Sequence, residues 1–218
     1  DADTAESDEW TTAKDFNYVC IDTVKDLTAL AGKCKKVSWL AIDTETTSPR
    51  PMWTQLVGIS LAFEPGEAYY VPVRGPLGAK TLDVDTVRKH LGPVIADPKV
   101  RKIGHNIKFD WLVLERAGFE FAGDLFDTMI AAHVLDSSRM TYSLKALGAE
   151  LLDHHSITYE DVVGRGKTKL DSIDLAPVDA VSTYAAEDAD VTLRLAGVVE
   201  QQLADEGLTD LFVDLEMA

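Results

Sequence analysis

Basic residues are scarce in this chain: 21 Lys and Arg stand against 37 Asp and Glu, a net charge of −16 over 218 residues. Polyanion binding ordinarily draws on a basic surface, so the composition by itself argues against nucleic acid. Two routes remain around that exclusion. Bound divalent metals can invert the local sign, and a grip confined to a few terminal nucleotides needs no long basic stripe. Cysteine is scarcer still. Cys20 and Cys34 have neither metal-type spacing nor a disulfide framework, which fits a reducing cytoplasm. Cys20 lies in an apolar run and is expected to be a small buried hydrophobe. No apolar run approaches the ~20 residues of a membrane span. The acidic start, Asp1 to Asp8, lacks a basic-then-apolar signal pattern, and residues 1–16 are expected to be a disordered leader or linker.

What is present has clear periodicity. The pattern predicts a strand at Tyr18–Ile21, a helix capped by Thr23, and strands at Val37–Asp43, Leu56–Phe63 and Ala68–Val73, with Pro65-Gly66 as a hairpin turn. From Asp83 helices dominate. They are expected from Asp83 to Pro98, from Asn106 to Ala117 (after a short strand Arg101–Gly104), at Asp127–Leu135, at Ser143–Leu151 and at Pro177–Glu206. Strands first and helices later predict one α/β domain, a mixed central sheet flanked by helices.

Three acidic constellations stand out. In Leu40-Ala41-Ile42-Asp43-Thr44-Glu45, an apolar strand runs into two acids that alternation places on one face. Adjacent carboxylates repel unless a proton or cation intervenes, and hard oxygen ligands suit magnesium or manganese; the plain alternative is a solvated acidic turn. In Gly104-His105-Asn106-Ile107-Lys108-Phe109-Asp110, Asp110 falls one helical turn after Asn106. Asn106 either caps that helix or serves a site at the strand's end. In Tyr184-Ala185-Ala186-Glu187-Asp188-Ala189-Asp190, Tyr184 and Asp188 share a helix face, an arrangement able to hold a water against a metal; the plain alternative is a helix with solvated acids.

The ordered series D-x-E, N-x-x-x-D and Y-x-x-x-D resembles the motifs of the DEDD exonucleases, in the subtype with a tyrosine in the last motif. More closely, the chain is similar to the 3′→5′ proofreading exonuclease domain of family A bacterial DNA polymerases. "QLVGISLAFEPGEAYYVPV", "FDTMIAAHVLDSS", "SLKALGAELL" and "ITYEDVVGRGK" carry the likeness from about Asn17 onward. It implies a ribonuclease-H-like fold and two divalent cations, Mg2+ with Mn2+ as a substitute, set roughly 3.5–4 Å apart to activate a water and stabilise the leaving 3′-oxygen. Asp43, Glu45 and Asp188 match the ligands of the first cation; Asp43 also bridges to the second, which Asp110 holds largely through water. Tyr184 and Glu45 match the pair that orients the attacking water. Thr46, Asn106 and His105 match positions near the terminal nucleotide, and Tyr159 matches an aromatic that packs on a base near the 3′ end. The implied substrate is DNA with a single-stranded 3′ end or a frayed primer terminus, cut to nucleoside 5′-monophosphates.

The likeness also implies an exonuclease domain over 17–207 and, over 208–218 (ending in "FVDLEMA"), the start of a junction to a covalently linked polymerase domain. A monomeric bacterial cytoplasmic protein with no membrane partner is expected. One position departs from the pattern. Where the family carries a leucine that wedges between the last two bases, this chain has Pro49, followed by Arg50-Pro51; proline offers an apolar surface on a fixed backbone. Trp53 reads as a surface or inter-domain contact, or else as a substitute stacking residue. The basic loop Gly164–Lys169 is either a plain exposed loop or a grip on the DNA backbone. His105, His133, His154 and His155 lack zinc spacing. Two alternatives stay open: a ribonuclease-D-like RNA exonuclease, whose acids would be the same, and a catalytically silent polymerase scaffold, which would be expected to lack one of the four acids.

Overall fold

The computed structural model describes residues 16–218. The expected leader therefore lies outside the described residues except for Phe16. That ring packs edge-on against His154 at 5.5 Å, and the Arg194 guanidinium lies 5.3 Å over it.

Six strands form one sheet: β1 (Asn17–Cys20), β2 (Trp39–Thr46), β3 (Leu56–Glu64), β4 (Glu67–Pro72), β5 (Arg101–Gly104) and β6 (Leu125–Asp127), in the order β1-β4-β3-β2-β5-β6. The β2–β3 and β3–β4 pairings are antiparallel; β1–β4, β2–β5 and β5–β6 are parallel. Helices α1 (Val24–Cys34), α2 (Val84–Ile95) and α3 (Ile107–Arg116) cover one face. Across the other lie α4 (Thr128–Leu135), α5 (Leu144–Leu152), α6 (Tyr159–Val163) and the 28-residue α7 (Val178–Asp205).

Side-chain alternation in the strands sorts two cores. Leu40 and Ile42 of β2 point to the α1–α3 layer with Ile59, Leu61 and Val71, while Ala41 points to the α7 layer with Ala62, Ala68 and Tyr70. α7 approaches the sheet closely because its inner stripe is small: Ala185, Ala189 and Ala196 recur with Val181, Val199 and Leu203 at helical spacing. Tyr70 fills the room left at Gly58, where a Cβ would lie 2.3 Å from its ring.

Several sequence expectations need correction. Cys20 is half-buried, and Cys34 on the inner side of α1 is the buried thiol. β2 does not end at Asp43 but runs to Thr46, because β3 continues to pair with it beyond the acids. Asp127 belongs to a sixth strand and caps α4 instead of starting it. Beside these corrections, the segment expected to lead to a junction packs on the domain through Phe212, buried against Phe126 at 5.0 Å.

Candidate active site

β2 and β5 run parallel only as far as Ala41↔Ile103, whereas β2 and β3 stay paired to Thr46↔Leu56. The edge of β2 that faces β5 is therefore open beyond Ala41, leaving the Thr44 N–H without a strand partner. Asp110, in the first turn of α3, enters this gap. Its Oδ1 accepts from the Thr44 N–H at 2.9 Å and from Thr44 Oγ1 at 2.6 Å. Thr44 faces the α3 side; alternation turns Asp43 and Glu45 to the opposite side, toward α7. A bulge in β3 leaves Val57 unpaired between Gly58 and Leu56, opposite Glu45 and Thr46. Bulges of this kind re-aim side chains at sites.

α7 brings Tyr184 and Asp188 to the same place, one turn apart and both buried. No protein group accepts from or donates to Asp188 Oδ1, although the atom is buried. The Tyr70 hydroxyl, under Glu45, is likewise buried without a partner. Burial pushes all four carboxyls upward, and their charges push one another. Asp43 rises with burial and the charge of Asp110; Glu45 rises with burial and the charges of Asp43, Asp188 and Asp110. Asp188 is lifted to about 7 by burial and Asp43. Burial lifts Asp110 to about 7 against the Thr44 hydrogen bonds, which pull it down. Burial and the adjacent Asp188 charge hold the Tyr184 phenol in its neutral form.

Among the described residues, one cation answers these acids. The Lys145 ammonium, reaching in from α5, lies 3.9 Å from Asp188 Oδ1 and 4.6 Å from the centre of the Tyr184 ring, and it donates to the Ile157 carbonyl. Its charge lowers Asp43, Glu45 and Asp188 alike. Among the described residues no three His, Cys, Asp or Glu side chains are already drawn together as a metal cage.

A scan against family models matches residues 18–204 to the DNA polymerase A-type 3′-5′ exonuclease domain. The chain belongs to this 3′-5′ exonuclease family. DNA polymerase I of Pseudomonas aeruginosa is 39% identical over 190 residues, covering 85% of this chain and 21% of that protein. The chain thus spans about a fifth of the length of the curated relatives it matches. Among solved structures, Brucella melitensis NrnC with bound Mg2+ aligns at TM-score 0.59 and 27% identity, covering 81% of this chain and 78% of that one. Escherichia coli RNase D, an exoribonuclease, aligns at TM-score 0.69 and 21% identity, over 91% of this chain and 48% of that one. The fold of this exonuclease domain is ribonuclease-H-like, as its mixed sheet and flanking helices predict.

The substrate positions expected from the sequence are less uniform. Tyr159 opens α6, half-buried, and lies near enough for Glu45 to add to the burial that raises its phenol. Thr46 Oγ1 donates to the Ser48 carbonyl at 3.0 Å, shaping the turn out of β2. His105 Nδ1 is 2.8 Å from Thr128 Oγ1, which lies 3.2 Å from the Gly104 carbonyl, and burial lowers the pKa of the ring. Asn106 is exposed in a left-handed conformation (φ 64°) and makes no side-chain cap bond, contrary to the capping alternative. Asp127 caps α3 in its stead, accepting from the Asn106 and Ile107 N–H groups at 3.0 and 2.9 Å as well as from Met129 at the start of α4. Pro49 and Trp53 sit exposed on the β2–β3 loop, Trp53 at 84%, and no described contact ties them to the carboxylates.

The alternative of solvated acids on α7 fails completely: Glu187, Asp188 and Asp190 are all buried. The basic loop holds a single 3-10 turn, Gly166–Thr168, and places Lys169 5.8 Å over the Tyr159 ring. Sequence reasoning singled out neither Thr44, Tyr70, Asp127 nor Lys145 as a site residue. Thr44 had a local signal, its place between two same-face acids. Lys145 had none, since its charge meets the site only through the packing of α5 on α7.

Proposed function

We propose that this domain removes nucleotides one at a time from DNA 3′ ends, as the proofreading part of a longer polymerase, by hydrolysis that depends on two divalent cations. The observation that carries this reading is the buried Asp188 Oδ1, without a hydrogen-bond partner, on a carboxylate near enough to Asp43 and Glu45 for their charges to act on one another. A buried acceptor with no donor, beside carboxylates that raise one another, is a donor set of hard oxygens suited to Mg2+ or Mn2+. The residues fit such ions. Asp43, Glu45 and Asp188 would hold one; Asp43 and Asp110 would hold the other, Asp110 through water as the family resemblance implies, with its Oδ2 turned to the task while Thr44 holds Oδ1. When bound, such ions supply a water ionised near neutral pH and charge stabilisation at the leaving oxygen.

The chain's own groups do the rest. The neutral Tyr184 phenol, with Glu45, orients the attacking water. Tyr159 stacks on a base, a contact worth ~1–3 kcal/mol that tolerates any sequence. Thr46, Asn106, His105 and Pro49 border the last nucleotide. Residues 17–207 form the exonuclease unit, and 208–218 lead toward the polymerase, in accord with a family match over 18–204 and the larger size of the relatives. Bacterial cytoplasm is the setting those relatives favour, and no described helix is long and apolar enough to cross a membrane.

The test is direct. With Mg2+ or Mn2+, the protein should shorten 5′-labelled single-stranded DNA stepwise from its 3′ end. A folded, metal-supplied protein inert on DNA would sink this reading, and faster digestion of RNA run alongside would replace it with the ribonuclease-D-like one.

A further inference from the structure

Lys145 is not among the acids and phenol that define the family's motifs, yet it is the cation most intimately placed among them. Its ammonium lies 3.9 Å from Asp188 Oδ1, the atom left without a hydrogen-bond donor. The same ammonium sits 4.6 Å from the Tyr184 ring centre, within cation–π range, and donates to the Ile157 carbonyl just before α6. Its side chain is only 32% exposed, so water screens these charges weakly. Three of the site's four acids feel it.

A buried group of carboxylates costs stability in proportion to its unbalanced charge. One fixed ammonium offsets part of that charge, but a divalent ion at Asp188 must then sit beside a like charge. We infer that Lys145 is the resident counter-ion of the carboxylate cluster: it holds the metal-free site together and competes with the divalent cation for Asp188. The cost of that competition is weaker metal binding; the gain is a site that stays folded and neutral enough to be loaded. This inference rests on the two-cation reading above.

The test measures metal binding and stability instead of turnover. Mn2+ titrated by calorimetry into the wild-type protein, K145M and K145R should give at least about tenfold tighter binding to K145M, a lower bound because the repulsion between a unit charge and a dication a few ångströms apart exceeds that factor even in water. K145R, which keeps the charge, should bind as the wild type does. Without metal, K145M should melt about 2–4 °C lower, and saturating Mn2+ should close most of that gap. Unchanged or weaker Mn2+ binding by K145M would overturn the inference while leaving the two-cation reading intact. A melting deficit equal with and without Mn2+ would do the same, since it marks a packing role. Tenfold tighter binding by K145R would also overturn it, for the charge would then be irrelevant. If the wild-type protein shows neither binding heat nor a melting shift with Mn2+, the two-cation reading falls and the inference with it.

Discussion

Asp188 and Asp190 are two residues apart on one helix, both buried, and they behave as opposites. Asp190 is fully satisfied: it accepts from the Gly66 N–H at 2.6 Å, the Tyr18 hydroxyl at 2.9 Å and Arg194 Nε at 3.0 Å. The network continues, with Arg194 donating to His154 Nδ1, His154 Nε2 turned to Glu187, and Glu187 accepting from the Ile157 N–H at 2.7 Å. It fixes α7 to β1, to the β3–β4 turn and to the loop before α6. Asp188, on nearly the opposite side of the helix, has an oxygen with no hydrogen-bond partner and three acids crowding it. The same residue type, on the same helix, is structural where its hydrogen bonds are complete and functional where they are left open.

The sharpest break of this comparison is activity. Asp43→Asn or Asp188→Asn should reduce DNA shortening at least about a hundredfold, the lower range for deleting one transition-state charge contact. Both should remain folded by circular dichroism. Next in size is stability. Asp190→Ala strands the buried Arg194 and should cost about 3–5 kcal/mol in urea unfolding, whereas Asp188→Asn should leave metal-free stability equal or higher. An Asp188→Asn protein that unfolds as readily as Asp190→Ala would erase the distinction.

The pH dependence follows from the raised carboxyls. A carboxyl held above its unfolded value favours the folded state most where it is protonated, and loses that contribution as pH rises through the folded pKa. With Asp110 and Asp188 lifted to about 7 and Asp43 and Glu45 also raised, metal-free stability should fall between roughly pH 4 and pH 8. Melting temperatures across that range check it. Saturating Mn2+ at the upper end should restore what is lost, and a flat profile would mean the acids are already compensated.

How much of this was visible in sequence depends on whether a residue's partner is local. The Asp43–Glu45 face and the Tyr184–Asp188 pair follow from strand and helix periods, so they could be read directly. Thr23, Asp83 and Ser143 announce their helices because a cap and its N–H groups are three residues apart. Asp190 could not be told from a solvated acid, because its partners Tyr18 and Gly66 are more than 120 residues away. Lys145 and Tyr70 were hidden for the same reason. β6 escaped notice because a three-residue strand carries too little alternation to separate it from the helix that follows.

Thr44 tests the comparison at its finest. It gives Asp110 two hydrogen bonds, so Asp110 stands between the two extremes: one oxygen is held as at Asp190 and the other left for function as at Asp188. Thr44→Val keeps the β-branched shape and the backbone donor but deletes the hydroxyl. It should cost about 1 kcal/mol of stability, the net worth of one hydrogen bond. The Asp110 carboxyl, freed of one group that pulls its pKa down, should also titrate higher, moving the acid limb of the activity profile toward higher pH. A Thr44→Val profile superimposable on the wild type would mean that the N–H alone holds Asp110, and that the hydroxyl serves only to fill the gap where β2 parts from β5.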